Sequence, residues 1–71
     1  MKPERATIVA NGKQQNIDLP CSVADFLRHC GWQPTQVVVE HNGRVLARTT
    51  VETVFLKSDD HLEIIQPVAG G

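Results

Sequence analysis

Apolar and polar positions alternate in short bursts along this chain, and the period changes once. In "ATIVANGKQQNIDL" the apolar residues Ile8, Val9, Ile17 and Leu19 lie in two extended runs on either side of Asn11-Gly12. Asn-Gly supplies the positive-φ positions of a tight hairpin turn, and Ile17 and Leu19 alternate with polar neighbours as a half-buried strand does. Pro20 breaks that strand. From Val23 the period lengthens: Val23, Phe26, Leu27 and Cys30 fall at i, i+3, i+4 and i+7, one apolar stripe on a helix. Ser22, with Asp25 three residues later, forms a capping box in which Asp replaces the usual Glu. Gly31 stands where a helix C-cap belongs, and Pro34 prevents continuation. The pattern predicts a helix of about two turns, from near Val23 to near Cys30, whose stripe covers a sheet.

"VVVEHNGRVLAR" repeats the strand, Asn-Gly, strand scheme. Val37 and Val39 share one face, Val38 and Glu40 the other; Asn42-Gly43 turns the chain, and Val45 and Leu46 return. The stretch Thr49–Lys57 fits neither period and reads as a crossing loop with a short helical turn. Asp59-Asp60 makes a polar turn before "HLEIIQPV", the last strand, with Leu62 and Ile64 on one face and Glu63 and Ile65 on the other. The order β-β-α-β-β-β lays one helix across one face of a mixed sheet. The first and last strands are expected to pair at its centre. No repeat, linker or low-complexity tract interrupts the order.

The 71 residues make one domain with a small core. No apolar run reaches the roughly 18 residues of a membrane span, and the start carries no secretory pattern. The expectation is a soluble, cytoplasmic protein without a membrane partner. A net charge of -1, scattered basic residues and few aromatics argue against a nucleic-acid partner. With a helix between them, Cys21 and Cys30 stand about 13 Å apart, beyond the ~7 Å limit of a disulfide. Cys30 is expected in the core and Cys21 in a loop. The histidines His29, His41 and His61 have no second ligand at helical or hairpin spacing, which leaves no metal site; they are expected in solvent or as caps, His29 at the helix C-terminus. Ser22 with Asp25 reads as a cap rather than a nucleophile and its orienter, and Trp32 as a lid on the core. No glycine-rich phosphate loop is present, so the chain itself is not expected to bind ATP.

The chain ends in "IIQPVAGG". A terminal Gly-Gly alone is ordinary fraying. Behind a strand it becomes a slim arm: Pro67 to Gly71 reaches at most about 17 Å when extended. Ile65, on the face opposite the helix and beside Val38 and Glu40, offers an exposed apolar spot at the arm's root.

The element order, with "VANGKQ", "SVADFL", "VVVEHNGRVLAR", "DDHLEII" and "VAGG", resembles the ThiS family of sulfur carriers over nearly the whole chain. The resemblance implies an α+β, ubiquitin-like β-grasp fold: a mixed four- to five-stranded sheet, one helix packed on one face, and a flexible C-terminal tail. Residues 1–66 would be the domain and 67–71 the tail. Asp59-Asp60-His61 departs from the family's Gly-Asp turn, Thr49–Lys57 matches weakly, and Pro67 is closer to the related MoaD carriers. The resemblance implies a carrier and not an enzyme. An E1-like adenylyltransferase of the ThiF type would adenylate the Gly71 carboxylate. A cysteine desulfurase system would supply sulfur, leaving a thiocarboxylate for a thiazole synthase of the ThiG type in thiamin biosynthesis. The chain would bind no cofactor, carrying only AMP or the thiocarboxylate transiently on Gly71. Gly70, Ala69, Val68, Pro67 and Ile65 would touch the partners. The alternatives are a carrier of sulfur for molybdopterin or another metabolite, a ubiquitin-like modifier joined to a lysine, and a plain β-grasp interaction module.

Overall fold

A computed structural model describes residues 4–67 of the chain. Strand β1 (Glu4–Ala10) and strand β2 (Lys13–Leu19) pair antiparallel through seven residue pairs, from Glu4 opposite Leu19 to Ala10 opposite Lys13. Their turn has Asn11 at φ 50 and Gly12 at φ 79, the double positive-φ geometry that Asn-Gly favours. Strand β2 stops at the cis Leu19–Pro20 bond. Helix α1 (Val23–His29) follows, then a single 3₁₀ turn (Pro34–Gln36), strand β3 (Val38–His41), the two-residue strand β4 (Arg44–Val45) and strand β5 (His61–Ile65).

The sheet order is β2-β1-β5-β3-β4. The parallel pair β1–β5 lies at its centre, as the sequence pattern implies, and the other neighbours are antiparallel. One five-stranded mixed sheet with one helix on one face is the expected β-grasp architecture. The core forms where the stripe of α1 meets the inner sheet face. Val23, Phe26 and Leu27 from the helix are buried with Ile8, Val39, Leu62 and Ile64 from the strands. Each such side chain, removed from water, contributes about 1.5–3 kcal/mol.

The helix start is closed at every donor. Asp25 N–H donates to Ser22 Oγ at 3.0 Å, and Ser22 N–H to Asp25 Oδ2 at 3.5 Å, so the Asp variant of the capping box is real. Val23 N–H and Ala24 N–H donate to the carbonyls of Val54 and Val51, both at 2.9 Å. The crossing loop is therefore the second half of the cap. It is built from consecutive turns closed by Thr50 N–H to Ala47 O and Thr53 N–H to Thr50 O, and it buries Val51 and Leu56. These turns are the short helical element expected there.

At the other end, Gly31 N–H reaches Arg28 O at 3.0 Å and Trp32 N–H reaches Leu27 O at 2.8 Å. With Gly31 at φ 89 this is a Schellman closure, and it packs Trp32 against the core. The same closure corrects the expectation for Cys30. The helix ends at His29, and Cys30 is the cap residue, lifted off the buried stripe and exposed. Cys21 lies in the loop between β2 and α1, as expected, and is half-buried against the core, its S–H donating to Ser22 O at 3.4 Å. The i+7 position falls one residue beyond the end of the helix, where the stripe no longer fixes its direction.

Candidate functional site

Strand β5 is the last element of the described structure and leads into the C-terminal residues. Leu62 and Ile64 point into the core, while Glu63 and Ile65 point away from the helix. Ile65 pairs with Val38 and Glu63 with Glu40 across β3–β5, and Val45 of β4 pairs with Glu40. The outer surface therefore gathers Ile65, Val38 and Val45 around two facing carboxylates, Glu40 and Glu63. Ile65 is 48% exposed and Val45 65% exposed. The expected meeting of Ile65, Val38 and Glu40 is present, and Val45 joins it because β4 is short and ends in solvent. Leu46, expected in the same strand, instead turns towards the core, with its N–H on Val39 O at 2.8 Å.

The strand ends at Ile65; Gln66 and Pro67 follow outside the ladder and are exposed. Of the sequence-derived site residues, Val68, Ala69, Gly70 and Gly71 lie outside the described residues.

Both ends of β5 are tied by asparagines of the two hairpin turns. At the start, Asn42 N–H donates to His61 O at 2.9 Å and His61 N–H donates to Asn42 Oδ1 at 2.8 Å. Asn42 Nδ2 also donates to Asp60 Oδ1 at 3.0 Å. Near the finish, Ile64 N–H donates to Asn11 Oδ1 at 2.7 Å and Asn11 Nδ2 donates to Ile64 O at 3.3 Å. Sequence reasoning reads Asn-Gly as turn chemistry and misses these side chains; Asn, rather than Asp or Gly, at both first turn positions is the one local signal.

Asp60 is buried, yet every polar contact it needs is present. Its Oδ2 accepts from Lys57 N–H at 3.0 Å and lies 2.9 Å from His41 Nε2. Burial alone would push this carboxyl up. The hydrogen bonds from Asn42, His41 and Lys57, with the charge on His41, outweigh it and hold the carboxyl below its ordinary range. His41 is thus not a solvent or capping residue but a half-buried partner of Asp60, a contact made across 19 positions of sequence. Asp59 takes φ 71, a left-handed position that an aspartate visits more readily than most residues, so the turn forms without a glycine.

Elsewhere the chemistry is thin. A cavity of about 440 Å³ opens between the β2 edge and α1, lined by Ile17, Asp18, Cys21, Phe26 and His29. It lies away from β5. Burial, and then the nearby charge of Asp25, push the Cys21 thiol up; burial does the same to Cys30. Both stay protonated at neutral pH and are poor nucleophiles. Among the described residues no cluster of His, Cys, Asp or Glu could hold a metal ion, and no helix is long and apolar enough to cross a membrane.

Known proteins share this arrangement. The crystal structure of thiamine biosynthesis protein ThiS from Geobacter metallireducens matches with a TM-score of 0.77 at 29% identity, covering 92% of this chain and 99% of that one. A thiazole synthase of Magnetococcus marinus is 33% identical over 61 residues, which are 86% of this chain but only 19% of that protein. The uncharacterized protein ycf40 of Pyropia yezoensis is 32% identical over 65 residues, 92% of either chain. The sequence model of the ThiS family matches residues 5–71, and the chain belongs to that family.

Proposed function

We propose that this protein is a sulfur carrier of thiamin biosynthesis whose working atom is the carboxyl carbon of Gly71. The observation that carries the reading is the union of a central β5 ending beside an exposed apolar patch with a Gly-Gly end, in a chain matched to the ThiS family through residue 71. The thiazole synthase of Magnetococcus marinus, similar to this chain over part of its length, supports a thiazole synthase as the protein that takes the sulfur.

The chemistry follows from the carboxylate. Ionised near neutral pH, with an ordinary pKa of ~3.5, it repels nucleophiles and offers no leaving group. A ThiF-type partner brings it to the α-phosphorus of ATP, and pyrophosphate departs as the acyl-adenylate forms. The terminal sulfur of a cysteine persulfide then attacks the carbonyl carbon and AMP leaves. A thiol cleaves the resulting S–S bond, giving the thiocarboxylate and a disulfide. Gly70 and Gly71 would present no Cβ to a narrow channel, and Val68 and Ala69 would follow them against its walls. Pro67, two residues beyond β5, keeps the ladder from growing into the arm. The patch of Ile65, Val38 and Val45, flanked by Glu40 and Glu63, suits a partner surface that is apolar with basic groups at its rim.

Intact-mass spectrometry tests the reading. The chain is incubated with ATP, a ThiF-type enzyme and a persulfide source. A shift equal to sulfur replacing oxygen is expected, and it disappears when an extra residue follows Gly71. Adducts of higher mass on lysines would instead identify a modifier. Ile65→Asp should weaken capture by the activating enzyme about tenfold or more; undiminished capture would remove Ile65 from the docking face.

A further inference from the structure

We infer that Asn11 is a positioning residue for the C-terminal reaction: its side-chain amide stands in for a missing strand and fixes the direction in which the chain leaves β5. This role rests on the carrier reading above.

The hydrogen-bond register shows the substitution directly. In the parallel ladder β1–β5, Val9 N–H donates to Asp60 O and Asn11 N–H donates to Leu62 O, both at 2.9 Å. The next rung of a continuing parallel ladder would bring Ile64 N–H to the main-chain carbonyl of Asn11. That carbonyl is gone from the ladder, because φ 50 at Asn11 turns the backbone into the hairpin. The side-chain carbonyl takes its place, at 2.7 Å from Ile64 N, and the same amide's Nδ2 donates to Ile64 O at 3.3 Å. A primary amide carries the donor and acceptor of a peptide group. One turn residue thus extends the sheet by a rung on the side of β5 where β1 has already ended. On the other side, β3 reaches the same level through Val39 opposite Ile64 and Val38 opposite Ile65. Without Asn11 the last two residues of β5 would be held from one side only.

The consequence is one of reach. Gly71 lies seven residues beyond Ile64. Drawn out in a partner's channel, that length spans up to ~24 Å and leaves little slack, so the point at which the chain leaves β5 sets where the carboxylate can arrive. Adenylation needs the carboxylate in line with the α-phosphorus, and a misplacement of about 1 Å already suppresses the chemical step. Asn42 ties β5 too, but at His61, the end away from the arm. It should matter for stability and not for the path of the tail.

Asn11→Gly tests this cleanly, since glycine accepts the positive φ and removes only the amide. Two quantities are read in the full chain: hydrogen exchange at Ile64 N–H, and steady-state adenylation by a ThiF-type enzyme with ATP. For Asn11→Gly, Ile64 exchange is expected to rise about tenfold or more and the maximal rate to fall about tenfold, with half-saturation changed less than about twofold. For Asn42→Gly, thermal stability should fall while the maximal rate stays. An unchanged maximal rate in Asn11→Gly, a protected Ile64 amide, or an equal rate loss in Asn42→Gly would each overturn the positioning role. A wild-type chain that is never adenylated would overturn the carrier reading itself, and this role with it.

Discussion

The two hairpin turns are built alike and used differently. Asn11-Gly12 and Asn42-Gly43 have nearly the same backbone, φ 50 and 79 against φ 51 and 86. Each asparagine side chain then crosses to β5, but Asn11 meets only the main chain of Ile64, whereas Asn42 meets His61 and the buried carboxyl of Asp60. Identical local chemistry fixes the turns. What lies opposite each turn in the sheet decides what its side chain does. The first turn sits beside the exit of β5 and shapes a path; the second sits at its entrance and closes a polar knot.

The largest break in this comparison comes from removing the group only one turn contacts. Asp60→Ala leaves Lys57 N–H, Asn42 Nδ2 and His41 Nε2 without their acceptor in a buried place. The expected loss is about 2–4 kcal/mol, or a fall in melting temperature of about 10 °C or more. Ile64 exchange under conditions of local opening should hardly change, because Asn11 is untouched. The carboxyl also adds an acid dependence. Its folded pKa is depressed, so its stabilisation is complete above about pH 4, where the group ionises in the unfolded chain, and is lost as pH falls through the lower folded value. Melting curves taken from about pH 6 down should therefore steepen below about pH 4 in the wild type and less so in Asp60→Ala. Parallel curves for the two proteins would show that the knot does not depend on the charge of Asp60.

What the sequence made legible follows the same division. Turns, caps and the helix stripe are written within three or four neighbouring residues. Asn-Gly, the Ser22–Asp25 box and Gly31 were therefore readable, and so was the face-by-face alternation that places Ile65 outside and Ile64 inside. The central pairing of β1 and β5 followed from element order. The side-chain contacts of Asn11 with Ile64 and of His41 with Asp60 were not readable, since they join residues 53 and 19 positions apart and exist only once the strand order is set. Cys30 departs from the stripe for a local reason: periodicity does not say on which residue the cap falls. Of the arm's residues, the sequence supplies identity and spacing, and the described structure supplies the root from which they start.

The smallest effect isolates the backbone that the turns share. A Cβ added at Gly12 or at Gly43 meets nothing within 4 Å, so Gly12→Ala and Gly43→Ala differ from the wild type only in the strain of alanine at positive φ. That strain is about 1 kcal/mol at either site, and the two variants should agree within about 0.5 kcal/mol in urea midpoints. Neither change touches an asparagine, so the adenylation rate should stay at the wild-type level in both. A clearly larger cost at Gly43 would mean that the Asp60 knot constrains the second turn's backbone as well as its side chain. The contrast between the turns would then lie partly in the main chain. Equal costs would leave the whole difference to what each asparagine amide finds across the sheet.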